Sequence, residues 1–181
     1  DVAYEDRDEI DKWLLSKYNK LLNYVTNAYD EFDATKVVRS VTDFVSEDLS
    51  NWYIRRNRRR FWSSEFDTSK KSVYKTTYEV LEGLCKMIAP IASYTAEEIY
   101  LALTGKSVHT EDFPVVDLTK VNDRIENRMD LVRDLISLGR YAREEVKIKV
   151  RQPISEVIID GKYKELIEDL TPLIMEELNV K

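Results

Sequence analysis

A mostly α-helical bundle that passes, near its C-terminus, into a small α/β appendage is what this sequence predicts. Two observations carry the helical part. The 181 residues contain only four glycines and four prolines, and apolar side chains recur at helical spacing over most of the chain. The third observation is a change of period: beyond residue 146 the pattern alternates charged and aliphatic residues. The division expected is therefore a helical bundle over residues 1–146 and a truncated small α/β subdomain over 147–181.

The first helix is predicted from about Arg7 to Glu31, with Ile10, Trp13, Leu14, Leu21, Val25, Ala28 and Phe32 on one buried face. Asp33 is placed to N-cap a second helix, whose stripe of Val37, Val38, Val41, Phe44, Val45, Leu49, Trp52 and Tyr53 continues toward Trp62. Residues 63–72 break the period and read as a connection. A third helix is expected from Ser72 to Ala89 and must stop at Pro90, which has no amide to donate. Thr95-Ala96-Glu97-Glu98 has the form of a capping box for a short helix ending near Gly105. Residues 105–119 read as loop. A long helix from Asn122 to Glu145 carries Ile125, Met129, Val132, Leu135, Ile136 and Ala142. Lys147-Ile148-Lys149-Val150-Arg151 alternates as a half-buried strand does, Val157-Ile158-Ile159 is a second short run, and the end at Val180 has no evident partner.

Composition excludes several functions. The longest stretch without a charge is Met87 to Ala96, about half of what a spanning helix needs, so no membrane partner is expected. One cysteine, Cys85, and one histidine, His109, leave no conventional zinc site and no internal disulfide. No nucleophile–base constellation, metal set or Gly-rich phosphate loop is present, so an independent enzyme is disfavoured. The chain opens on Asp1 without a secretory leader, which reads as a piece of a longer cytoplasmic protein.

The net charge of −6 does not advertise a nucleic-acid protein, yet phosphate binding needs a local positive face rather than a basic average. The segment from Asn51 to Trp62 supplies one. Five arginines (Arg55, Arg56, Arg58, Arg59 and Arg60) fall within six positions, interleaved with aromatics. On an ideal helix Asn51, Arg55, Arg58, Arg59 and Trp62 share a face. Arg55/Arg59 and Arg56/Arg60 are like-charge pairs one turn apart, each costing roughly 0.2–0.5 kcal/mol. No carboxylate stands four residues before any of the five. Compensation must come from carboxylates on other helices or from the phosphates of a polyanion, and a guanidinium forks onto either. Bracing by some arginines and RNA contact by others is the expectation. Arg140 and Arg143, then Lys147, Lys149 and Arg151, form a second basic group, and Lys106 sits in the loop after Gly105. The candidate RNA-binding set is therefore Asn51, Arg55, Arg58, Arg59, Arg60, Lys106, Arg140, Arg143, Lys147, Lys149 and Arg151, with no catalytic or metal residue.

Asp48-Leu49-Ser50-Asn51-Trp52-Tyr53-Ile54-Arg55-Arg56 through Trp62 resembles the signature stretch of the anticodon-binding domain of isoleucyl-tRNA synthetases, in the branch that includes the eukaryotic-type enzymes. Glu9-Ile10-Asp11-Lys12-Trp13-Leu14-Leu15-Ser16-Lys17 is similar to that family's first bundle helix. Ile88-Ala89-Pro90-Ile91 with Thr95–Tyr100, Ser107-Val108-His109 with Asp112-Phe113-Pro114, and Gly139-Arg140 with Ala142-Arg143 resemble its later elements. The resemblance runs along nearly the whole chain. It implies a helical bundle appended to a Rossmann-type catalytic domain, holding the anticodon stem and loop of an isoleucine-specific tRNA, with the rest of the synthetase chain as the other partner. The reaction implied for the parent enzyme is ATP- and Mg-dependent activation of isoleucine and its transfer to tRNA. The family's His-Ile-Gly-His and Lys-Met-Ser-Lys-Ser signatures do not occur here, so no catalytic residue or cofactor is carried onto this chain. The alternative from another class is a helical protein-interaction or structural module that never contacts RNA.

Overall fold

The structure is a computed structural model and describes residues 2–181. It divides into two compact units, Asp1–Asn122 and Asp123–Lys181. Both are built from helices and turns.

In the first unit α1 spans Glu9–Asp30, α2 Ala34–Asp43, α3 Arg58–Trp62, α4 Thr68–Ile88 and α5 Ser93–Thr104. Trp13, Leu14, Leu22 and Val25 of α1 are completely or almost completely buried, as are Val73, Val80 and Met87 of α4. Stripes of this kind, spaced three or four apart, hold helices together by removing apolar area from water, at about 25 cal/mol per Å². Gly83 permits a close approach, because a Cβ there would lie 1.8 Å from the Tyr18 hydroxyl. Cys85, Ala96, Tyr100 and Val108 close a smaller core between α4, α5 and the turn Val108–Thr110.

Local signals explain most boundaries. Asp33 accepts from the Lys36 amide at 2.9 Å and starts α2, as expected. Asp67 does the same for Lys70 at 2.7 Å, so α4 begins at Thr68 and consumes half of the segment expected to be a connection. Pro90 ends α4 as predicted. The capping box does not form: α5 starts at Ser93, two residues before Thr95. The Glu97 carboxylate instead accepts from the Ser107 hydroxyl and the Val108 amide, at 3.0 and 2.8 Å. Phe32, expected in the core, is 95% exposed at a backbone position with φ 57°. The α1–α2 turn there leaves the helical register that would have buried it.

The expected second helix is not one regular α-helix. After Asp43 the backbone widens into a π-helical stretch, Phe44–Ile54, and at Asn57 the helix is interrupted before α3. π-helical segments are rare and often mark functional positions. The wider winding also shifts every downstream side chain relative to an ideal 3.6-residue register.

The second unit packs α6 (Asp123–Glu145) against α8 (Thr171–Leu178), with the short α7 (Lys164–Ile167) beside them. Met129, Val132 and Ile136 face a core shared with Ile167, Leu170, Ile174 and Leu178. The α/β appendage does not form. Lys147–Arg151 and Val157–Ile159 are not strands, and the pairing consists of one parallel bridge, Ile154 with Val180. The reason is visible at Arg143. Its buried guanidinium donates to the carbonyls of Lys149 and Gln152, groups that a ladder would need. Lys147 also adopts φ 55°, which breaks an extended run. Val180, read from sequence as unpartnered, has the Ile154 bridge and donates its amide to the Met175 carbonyl at 2.9 Å.

Candidate nucleic-acid interface

The arginine-rich segment separates into an inward and an outward part. Arg60 turns inward. Its guanidinium meets Asp11 Oδ1 and Oδ2 at 2.8 and 2.7 Å, Asp8 Oδ2 at 2.9 Å, Asn57 Oδ1 at 2.9 Å and both the hydroxyl and the carbonyl of Ser69. Asp11 is fully buried and accepts also from the Tyr53 hydroxyl at 2.6 Å and the Ser72 hydroxyl at 2.5 Å. The result is a closed polar network linking α1, the π-helical stretch, α3 and α4. Burial, and after it the Asp11 charge, pushes the Tyr53 phenol well above its ordinary range, so it remains a donor. Burial pulls the Arg60 guanidinium down, but its hydrogen bond and charge interaction with Asp11 more than restore it, leaving it raised. Arg7 forms a second brace, bidentate to Glu79 at 2.9 Å and bonded to Thr76.

Arg55, Arg58 and Arg59 are exposed, as is Asn51, and Arg56 is half-buried. Arg55 donates Nε to the Asn51 carbonyl at 2.8 Å, which holds the first turn of this surface. Beyond them an open cleft of about 660 Å³ is lined by Ile54, Arg58, Phe61, Trp62, Tyr74 and Thr77. Trp62 is 83% exposed and Phe66 67%. Phe61 and Tyr74 meet edge to face with centroids 5.3 Å apart. Lys70 lies 6.0 Å from the Tyr74 ring centroid and Lys71 5.4 Å from that of Phe66, within cation–π range. Sequence reading did not single out Phe66, Lys70, Lys71 or Tyr74. The available signal was the i, i+4 spacing of Lys70 and Tyr74 on α4, hidden because 63–72 read as a connection.

The second basic group converges within its own unit. Arg140, Arg143, Lys147 and Lys149, with Ile148, Val150 and Glu144, line one cleft of about 450 Å³. Lys147, Lys149 and Arg151 are exposed. Arg140 is ion-paired to Glu177, and Arg143 is 4% exposed with its donors on backbone carbonyls. Those two brace the cleft wall. Lys106 follows the left-handed Gly105, φ 74°, and is exposed. His109 stands 3.9 Å from Glu97. Among the described residues no group of three or more His, Cys, Asp or Glu could hold a metal ion, and no helix is long and apolar enough to cross a membrane.

The family model described as the anticodon-binding domain of tRNA ligase matches residues 11–159. The chain belongs to that family. An isoleucine–tRNA ligase of Bacteroides thetaiotaomicron is 41% identical over 191 residues, covering 100% of this chain and 16% of the relative. That of Porphyromonas gingivalis is 39% identical over 185 residues, covering 99% and 16%. That of Chlamydia trachomatis serovar L2 is 42% identical over 179 residues, covering 96% and 17%. The chain thus spans about a sixth of the length of these relatives.

Proposed function

We propose that this chain is the tRNA-gripping module of an isoleucine–tRNA ligase, holding the anticodon stem and loop of an isoleucine-specific tRNA. ATP-dependent ligation takes place elsewhere in the longer cytoplasmic enzyme. The observation that carries the reading is the exposure of the Arg55, Arg58 and Arg59 side chains to solvent, beside an Arg60 that is held by Asp8 and Asp11. Had all five been drawn into the bundle, no positive face would remain. Phosphate contacts set register and supply most affinity, while aromatic and polar groups meet unstacked bases. Exposed Arg55, Arg58 and Arg59, with Asn51, are the RNA-facing set, and Arg60 supports them from below. Lys106, Lys147, Lys149 and Arg151 extend the contact, with Arg140 and Arg143 holding the wall. In this division the arginine-rich face belongs to the unit Asp1–Asn122 and the second basic cleft to the unit Asp123–Lys181. ATP and Mg belong to the ligation reaction, and no residue here is assigned to either.

The similarity to isoleucine–tRNA ligases along the whole chain supports the substrate assignment. The rival reading, a protein-docking module, loses its unpartnered edge because Val180 is paired. A filter-binding titration of the chain with isoleucine tRNA at two salt concentrations tests the proposal. Affinity should fall steeply with salt, and a tRNA with an exchanged anticodon should bind more weakly. Binding indifferent to salt would favour the rival.

A further inference from the structure

Trp62 presents an unusual problem. An indole is among the largest apolar surfaces a side chain can offer, yet here it is 83% exposed. Beside it Phe66 is 67% exposed and Tyr74 48%. Contiguous exposed aromatic surface marks a site of interaction more often than a scattered apolar residue does. The cleft that Trp62 lines is open and about 660 Å³, within the range of small-ligand clefts.

Its surroundings decide what fits. Between Arg55 and Lys71 seven cationic side chains stand against two acidic ones, Glu65 and Asp67. One of the cations, Arg60, is neutralised inside, and the Asp67 carboxylate is occupied in capping α4. Arg58 lines the cleft itself, and Lys70 and Lys71 stand over neighbouring rings. A planar, electron-rich group attached to an anionic chain satisfies both features at once. A basic surface with an aromatic platform is how single-stranded nucleic acid is held without sequence preference, because every base has a π-face.

Resting on the reading that this chain grips tRNA, we infer that the Ile54/Arg58/Phe61/Trp62/Tyr74/Thr77 cleft seats one unstacked nucleobase. The base lies against the Trp62 indole, and Arg58 meets the adjoining phosphate. Thr77 donates its hydroxyl to the Val73 carbonyl at 2.7 Å, so at the cleft wall it offers shape rather than a free donor. Paired RNA does not enter, since its bases are already stacked.

The chain has two buried tryptophans, Trp13 and Trp52, and one exposed, Trp62, so fluorescence quenching on titration reports Trp62. A mixed-sequence single-stranded RNA oligonucleotide should quench it, and a fully paired RNA of the same length should not. Trp62→Leu should weaken single-strand binding by about 5- to 150-fold with the salt slope unchanged, and Trp62→Phe should retain most of the affinity. Circular dichroism checks the fold of each variant, and quenching in the unmodified chain stands independently of them. Salt-dependent tRNA binding with no quenching and an unaffected Trp62→Leu variant would overturn the base seat while leaving the RNA-gripping reading in place. If neither tRNA nor oligonucleotide binds, both fall together.

Discussion

Replacing Arg60 by methionine separates bracing from RNA contact in a single residue. The side chain of Arg60 is 17% exposed, and its main partner Asp11 is fully buried. Removing one member of a buried pair leaves the other uncompensated, which costs roughly 3–5 kcal/mol. Asp11 would keep the Tyr53 and Ser72 hydroxyls, so the lower end, about 3 kcal/mol, is expected. All three tryptophans lie in the first unit, so urea unfolding followed by their fluorescence reads that unit without mixing in the second. The double variant Arg60→Met with Asp11→Leu should recover much of the loss, because an apolar pair can replace a buried ionic one. The salt slope of tRNA binding should not change in Arg60→Met at temperatures where it is folded. A loss below about 1 kcal/mol together with a reduced slope would refute the network as a structural brace and make Arg60 an RNA ligand.

Three other outcomes follow from named contacts. Gly139→Ala would place a Cβ 2.6 Å from Leu178 Cδ1, a side chain that is 1% exposed. Overpacking of about 1–3 kcal/mol should outweigh the roughly 1 kcal/mol gained in helix propensity. The melting temperature of the second unit by circular dichroism should fall, and the same substitution made in a Leu178→Ala background should cost less. A rise in stability would show that α6 and α8 are not in contact there. The Asp33 carboxyl is held below its ordinary value, first by the Lys36 amide and then by the Lys36 ammonium. A depressed folded value means stabilisation that is complete above the unfolded value near 3.9 and is lost as pH falls through the folded one. Asp33→Asn keeps a capping acceptor without titrating, so its stability should fall less steeply than the parent's below about pH 4. Parallel curves would contradict this. Tyr53→Phe removes one of the donors to buried Asp11 and should cost about 1–3 kcal/mol in the same urea assay; no change would mean that Ser72 and Arg60 suffice.

Much of the helical fold was legible because its causes are local. Asp33 caps, Pro90 stops, and most of the predicted stripes of α1, α4 and α6 are turned from solvent, although Phe32 and Ala142 are exposed. What escaped prediction depended on distant partners. The alternation at Lys147–Arg151 has the right period for a strand, but a strand exists only with a neighbour, and Arg143 had taken its carbonyls. An ideal helix puts Arg59, and not Arg60, on the face of Asn51, Arg55 and Arg58, but nothing within 51–62 says that Arg60 is held inside the bundle. The difference is Asp11, 49 residues earlier in the chain. The π-helical winding of Phe44–Ile54 was not legible, yet Asn51, Arg55, Arg58, Arg59 and Trp62, which share a face on an ideal helix, are all exposed. Internal carboxylates were one expected source of compensation for the arginine cluster, and the fold assigns Asp8 and Asp11 to Arg60.

The exposed guanidinium face is tested most directly by the salt dependence of tRNA affinity in the chain carrying Arg55→Ala, Arg58→Ala and Arg59→Ala together. Each lost phosphate contact should lower the log–log slope by about one, so a decrease approaching three, with the fold intact, is predicted. A slope and an affinity identical to those of the unmodified chain would show that RNA never meets this face.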